Sequence, residues 1–214
     1  MRSPADALRR AVDVLAGVVL LVVTSPILLG AAIATRATVG VPVIYRQRRI
    51  GLGGRPFALR KFRSMRDPRP GREAPEFDAE RITRVGAWLR ATSLDELPSL
   101  VNLLRGDIAL VGPRPLPVHY WPRFRGAEYA RFEVVPGITG LAQVSGRNEV
   151  DWPERLAIDV EYVRTRTLAG DVRILLRTIP TVFGGGGVEQ ESGVTMRELP
   201  ADRAPLAPGQ DSSE

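Results

Sequence analysis

The chain of 214 residues contains no cysteine. Disulfides, thiolate metal centres and cysteine nucleophiles are therefore excluded. Histidine is nearly absent too: only His119 is present, so no polyhistidine metal site can form. A Ser-His-Asp relay would have to run through that one residue. His119 stands in "PVHYWPRF", among aromatics and prolines, and reads as a packed or interfacial side chain. Lysine is as scarce. Of the 30 basic residues, all but Lys61 are arginine. In a chain so biased to arginine, a single lysine marks either chance survival or a place where a compact ammonium fits and a planar guanidinium does not. Aromatics make up only 6%.

What remains limits the chemistry. Catalysis would have to come from Asp, Glu, Lys, Arg, Ser, Thr or Tyr, and a metal would be a hard, oxygen-bound ion such as Mg2+. The net charge of +6 points to anionic partners: nucleic acid, phosphorylated ligands or anionic lipid.

Residues 14–34, "VLAGVVLLVVTSPILLGAAIA", carry no charge. As a straight helix this run is roughly 31 Å long, just enough to cross a bilayer core. Two features complicate a plain span. Arginines flank both ends (Arg2, Arg9 and Arg10 before; Arg36, Arg46, Arg48 and Arg49 after), and the positive-inside rule then places both ends in the cytoplasm. Ser25-Pro26 also lies near the middle. Pro26 cannot donate to the carbonyl of Val22, and Ser25 can bond a freed backbone oxygen. A helix dipping into one leaflet and returning satisfies both features. A kinked full span and a buried soluble helix are the other readings.

Further along, "VPVIYRQRRIGLGGRPFALRKFRSM" reads as strand, glycine turn and strand. Residues 67–80 form a proline-rich charged loop. "ITRVGAWLRATS" reads as a short helix. "SLDELPSL" (93–100) fits a capping box from Ser93 to Glu96, with Pro98 in a first helical turn, and leads into an apolar helical run that stops at Gly106. On that reading the helix end lowers the Asp95 pKa and keeps it ionised at neutral pH. "IALVGPRPLP" is a strand entering a rigid turn. "FEVVPGITGLAQVSGRN" is strand–turn–strand with glycines as punctuation. "WPERLAIDVEYVRTR" and "AGDVRILLRTIPTVF" are helices. The second carries Val172, Leu175, Leu176 and Ile179 on one side, for core packing or for an anionic lipid surface. The expected organisation is a membrane helix (8–36), a folded domain (37–183) and a mobile polar tail (184–214).

Several of these segments together resemble the bacterial sugar transferase family, in particular its small monotopic phosphoglycosyl transferases. They are "RKFRSM" (60–65), "LRATSLDELPSLVNLLRGDIALVGPRPL" (89–116), "VVPGITGLAQVSGRN" (134–148) and "DVEYVR" (159–164), with the apolar segment and its central Ser-Pro. The resemblance covers roughly residues 8–183. It implies a helix-rich α+β fold, compact and membrane-associated, with small β-strands and an N-terminal re-entrant membrane helix hairpin broken at Ser25 and Pro26. It implies transfer of a phospho-sugar from a UDP-sugar to a polyprenyl phosphate with release of UMP, on the cytoplasmic face of the bacterial inner membrane. Asp95 corresponds to the family's nucleophile, and Glu96 to the acid that supports it and the Mg2+, so both are candidate metal ligands. Lys61, Arg90 and Arg114 correspond to its phosphate-binding cations. Arg147 and Asn148 are further candidates, against a purely structural hairpin end. Membrane lipid is an implied partner and nucleic acid is not; a homodimer stays open. The rival reading is a non-catalytic, membrane-anchored basic protein that binds nucleic acid or anionic lipid, although no groove-reading motif supports it.

Overall fold

The computed structural model describes residues 3–71, 77–145, 151–183 and 199–200. It is helix-rich, with two small two-stranded sheets, an α+β arrangement.

The chain opens with a 35-residue helix, α1 (Pro4–Thr38), capped by Ser3 and Asp6, each bonding the other's backbone. It remains helical through Ser25-Pro26, so the two arms expected on either side of that pair belong to one continuous helix. The Ser25 hydroxyl donates to the Val22 carbonyl at 2.7 Å, taking the acceptor that Pro26 leaves without a partner. One stripe of α1 faces the rest of the protein at three- and four-residue spacing: Asp13, Gly17, Leu21, Leu28, Ala31 and Thr35. A Cβ on Gly17 would sit 2.8 Å from a Leu104 methyl, so a larger residue there would make that side chain shift. The other faces, from Leu8 to Ile33, expose a dense set of Leu, Val and Ile side chains. α1 is long and apolar enough to cross a membrane by length and composition.

Arg9 and Arg10 have structural partners. Arg9 Nε donates to Asp171 at 2.6 Å. Arg10 donates to the carbonyls of Leu103 and Leu104 at 2.6 and 2.5 Å, and Asp13 accepts from the Leu110 N–H at 2.9 Å. The sequence shows these arginines only as flanking charge.

The expected hairpin is present. β1 (Ile44–Ile50) and β2 (Pro56–Phe62) pair antiparallel around the glycine turn, with Tyr45 opposite Lys61 and Arg49 opposite Phe57. Opposed residues share a face, so Lys61, Leu59, Phe57, Arg49 and Gln47 project together. A single helical turn, α2 (Asp78–Arg81), precedes α3 (Arg84–Ala91), whose N-cap is the Thr83 hydroxyl. A 3-10 segment, Leu94–Ser99, runs into α4 (Leu100–Arg105), which ends at Gly106 with φ 83° as expected. Then come β3 (Ala109–Val111), two 3-10 segments (Val118–Arg123 and Gly126–Phe132) and β4 (Gly137–Thr139).

The strand–turn–strand reading of 132–148 is corrected here. Among the described residues of this segment β4 is the single strand; it pairs parallel to β3, and a helical turn, α5 (Leu141–Val144), follows it. Gly137 and Gly140 serve close approach rather than turning. A Cβ on Gly137 would lie 2.1 Å from Gly112 N, and one on Gly140 2.2 Å from Gly112 O. Two backbones in contact leave no room for side chains.

α6 (Trp152–Thr165) and α7 (Leu168–Phe183) close the domain. The core face of α7 is Asp171 and Ile174, whereas Val172, Leu176 and Ile179 are exposed. The apolar stripe therefore looks outward, away from the core. Leu199 is fully buried with Tyr120, Phe124, Phe132 and Leu156. The rest of 184–214, and with it most of the expected tail, lies outside the described residues.

Candidate active site

The two adjacent acids are presented by a strained turn. Ser93 has φ 56° and ψ 14°, the only non-glycine residue with positive φ among those described. An N-cap residue needs extended backbone to aim its side chain at the helix. Left-handed Ser93 cannot do this, and its hydroxyl makes no cap bond. The capping box is absent, and the Glu96 N–H instead bonds the Ser93 carbonyl at 3.2 Å. With no cap to serve, the Glu96 carboxylate turns to the cations around it.

Lys61 Nζ reaches Glu96 Oε1 at 2.6 Å, and Arg114 Nη2 reaches the same oxygen at 3.1 Å. Lys61 arrives from the β2 face described above. Arg114 projects from the turn between Pro113 and Pro115, which the Gly112–Gly137 contact holds in place. Burial alone would raise the Glu96 pKa. The charges and hydrogen bonds of Arg114 and Lys61 more than offset it and hold the carboxyl well below the usual carboxylate range. Both bonds fall on Oε1, and Oε2 has no partner among the described residues.

Asp95 differs. It is 9% exposed and makes no hydrogen bond or ion pair among the described residues. Burial, with Glu96 beside it, pushes its pKa up from an ordinary 3.8 to about 6, while Lys61, Arg90 and Arg114 pull the other way. The expectation that a helix end lowers this pKa is thus overturned. The segment bearing Asp95 is a 3-10 turn, and desolvation outweighs the surrounding cations.

Arg90 occupies the far side. Gly86 brings α3 so close to the segment that follows β2 that an added Cβ would meet Ser64 O at 2.0 Å. Arg90 Nε then donates to Ser64 Oγ and Nη2 to Met65 Sδ, both at 2.9 Å, and its charge acts on Asp95. Asp95, Glu96, Lys61, Arg90 and Arg114 thus form one cluster. Arg147 and Asn148 lie outside the described residues. His119 is exposed, its ring edge-on to Tyr120 at 4.3 Å, away from the site.

The cleft beside the cluster is lined by Arg49, Lys61, Glu96, Ile108, Arg114 and Ile138. Glu96 forms its wall and Asp95 stands next in the chain. Arg49 is the residue that sequence reasoning missed, having read it only as a flanking charge. Its signal was the hairpin: pairing around "GLGG" puts Arg49 on the same face as Lys61. Burial lowers its pKa to about 10, with Arg114 repelling it, and it donates to the Pro115 carbonyl at 3.0 Å.

No group of three or more His, Cys, Asp or Glu is gathered among the described residues, so these residues alone offer no metal cage. Two neighbouring carboxylates, one with an unengaged oxygen, still suit Mg2+, which commonly takes one or two carboxylates and completes its shell with substrate phosphate and water.

Comparison with known proteins identifies the family. The family model described as bacterial sugar transferase matches residues 4–185. The chain is 42% identical over 188 residues to an uncharacterized sugar transferase of Bacillus subtilis, covering 88% of this chain and 93% of that protein. It is 42% identical over 192 residues to the UDP-glucose:undecaprenyl-phosphate glucose-1-phosphate transferase of Caulobacter vibrioides, covering 85% and 72%. It is 37% identical over 197 residues to the undecaprenyl-phosphate galactose phosphotransferase of Salmonella typhimurium, covering 84% of this chain and 41% of that longer protein. The chain belongs to the bacterial sugar transferase family, and it is an enzyme rather than a non-catalytic basic binder.

Proposed function

We propose that this enzyme transfers a phospho-sugar from a UDP-sugar to a polyprenyl phosphate through a covalent intermediate on Asp95. The observation that carries the reading is the division of labour between the two acids. Glu96 is held by two cations and is a poor nucleophile. Asp95 is desolvated and has no hydrogen bond tying down its lone pairs, while Lys61, Arg90 and Arg114 supply positive charge around it. In the first step an Asp95 oxygen forms a bond to the sugar-bearing phosphorus. The pyrophosphate P–O bond breaks, and UMP leaves with the bridging oxygen. In the second step a polyprenyl phosphate oxygen attacks the same phosphorus, the acyl-phosphate bond breaks, and the Asp95 carboxylate is restored. Lys61 and Arg114 neutralise charge where a carboxylate must approach a pyrophosphate. Mg2+ held by Asp95 or Glu96 supplies further neutralisation when bound. The named activities of the Caulobacter and Salmonella relatives support glucose or galactose as the sugar and undecaprenyl phosphate as the acceptor.

The membrane arrangement belongs to the same proposal. α1 enters one leaflet of the bacterial inner membrane and both its ends stay on the cytoplasmic face. Support comes from the packing of both halves of α1 on one body and from the exposure of Ser25 and Pro26 at its middle. The outward apolar stripe of α7 suits the same lipid surface. Intact-protein mass spectrometry after mixing with a UDP-sugar tests the chemistry. The expected result is a mass increase equal to the phospho-sugar, with UMP released before any acceptor is added, and neither in Asp95→Asn. Sequential kinetics with no adduct would leave Asp95 as a base or metal ligand for direct attack.

A further inference from the structure

Behind the cleft lies an ion pair that the reaction does not call on directly. Arg131, in the 3-10 segment Gly126–Phe132, is 3% exposed; Asp159, on α6, is 2% exposed. Arg131 Nε and Nη2 both donate to Asp159 Oδ2, at 3.2 and 2.7 Å. The guanidinium lies over the rings of Phe124 and Phe132, 5.5 and 5.2 Å from their centroids. A pair buried this deeply loses so much hydration that apolar side chains of similar volume often stabilise a fold as well or better. Stability alone is therefore a weak reason for charge here.

Arg131 makes one more bond, and that bond leads to the site. Its Nη2 donates to the backbone carbonyl of Arg114 at 3.0 Å. The next carbonyl, that of Pro115, is taken from the other side by Arg49 Nη1 at 3.0 Å. Two successive carbonyls of the turn that carries Arg114 are thus each held by a guanidinium. The Arg114 side chain itself is 42% exposed and reaches Glu96 from that turn. Its aim is set by its backbone more than by packing of its own stem.

We propose that Arg131, locked by Asp159, is a positioning residue for Arg114: it fixes the 113–115 turn so that the Arg114 guanidinium stays at Glu96 and at the phosphate entering the cleft. The inference rests on the phosphoglycosyl reading of the site. Arg131 touches no reacting atom, and its whole effect passes through Arg114.

A double-mutant cycle on the full chain in detergent or nanodiscs tests this. Arg131→Met with Asp159→Leu removes both charges together, so neither member of the pair is left buried without the other. Each form is made with and without Arg114→Ala, and two quantities are measured: kcat/KM for UMP release and the calorimetric Kd for UDP. The expected result is a Tm within a few degrees of wild type and a roughly tenfold or greater loss in both quantities. With Arg114→Ala present, the further loss falls below about twofold. A folded variant with wild-type kcat/KM and Kd would overturn the proposal, as would losses that multiply with Arg114→Ala. If the double replacement does not fold, Arg131→Lys keeps a cation opposite Asp159 and loses the fork, and the same cycle is read with the same criteria. UDP binding needs no turnover, so a chain that binds UDP with this coupling but releases no UMP counts against the proposed reaction and leaves the positioning role standing.

Discussion

Replacing Asp95 by Asn should make the protein inactive and more stable. The carboxylate is nearly buried with no hydrogen bond, and its pKa stands at about 6 in place of 3.8. Each pKa unit corresponds to about 1.4 kcal/mol, so ionised Asp95 costs the folded state at most about 3 kcal/mol at neutral pH. Asn has the same shape and no charge, and its amide still needs partners, so the expected gain is about 1–3 kcal/mol. The sign with pH follows from linkage. Folded Asp95 takes up its proton below about pH 6, whereas an unfolded Asp does so only below about 3.9. Between these values the folded state binds more protons, and wild-type stability rises as pH falls. The advantage of Asp95→Asn should therefore be full at pH 7.5 and largely gone by pH 4. Thermal unfolding of both proteins in one detergent, across that range, measures it, and a gain of this size moves Tm by several degrees. Asp95→Asn that is less stable than wild type, by a pH-independent amount, would refute the reasoning. It would mean that the cations around Asp95 stabilise its charge more than burial disfavours it.

Three other outcomes follow from the same geometry. If ionised Asp95 is the nucleophile, kcat/KM for UMP release should fall about tenfold between pH 7 and pH 5, following its pKa of about 6; a profile flat down to pH 5 contradicts this. Lys61→Arg should lose at least about tenfold in turnover, because the 2.6 Å contact with Glu96 fits an ammonium and not a planar fork; near-normal turnover would make the lone lysine an accident of composition. Single cysteines at Ala7 and Val41, in a chain that otherwise has none, should both be shielded from an impermeant thiol reagent in intact cells and both labelled after lysis; labelling of one end only from outside would mean a full span.

The local signals in the sequence carried well where spacing alone sets the outcome. The β1–β2 hairpin, α3, the Gly106 stop, α6 and α7 follow from glycine placement and apolar periodicity. The cluster of Asp95, Glu96, Lys61, Arg90 and Arg114 came from motif resemblance, since contacts between residues 61, 96 and 114 depend on tertiary packing. What failed did so for identifiable reasons. S-x-x-E at Ser93 is a capping pattern only if Ser93 is extended, and tertiary constraint puts it in the left-handed region. Gly137 and Gly140 looked like turn residues because a sequence does not show that another backbone lies against them. The stripe on α7 has the same period whether it faces a core or lipid. The Asp95 pKa was misjudged because local sequence shows a neighbouring helix end but not burial.

The stripe of α1 at Asp13, Gly17, Leu21, Leu28, Ala31 and Thr35 has a practical consequence for anyone handling this protein. Trimming away an apolar leader is the usual way to obtain a water-soluble catalytic fragment, and here the leader is also one wall of the core. Cutting it off would uncover Leu59, Leu103 and Ile108 on one side and Phe62 and Leu89 on the other. It would also leave Asp171 and the Leu110 N–H without the Arg9 and Asp13 that meet them. A truncated form starting near residue 40 should aggregate, so purification has to keep the helix and the detergent or lipid that covers its outer face.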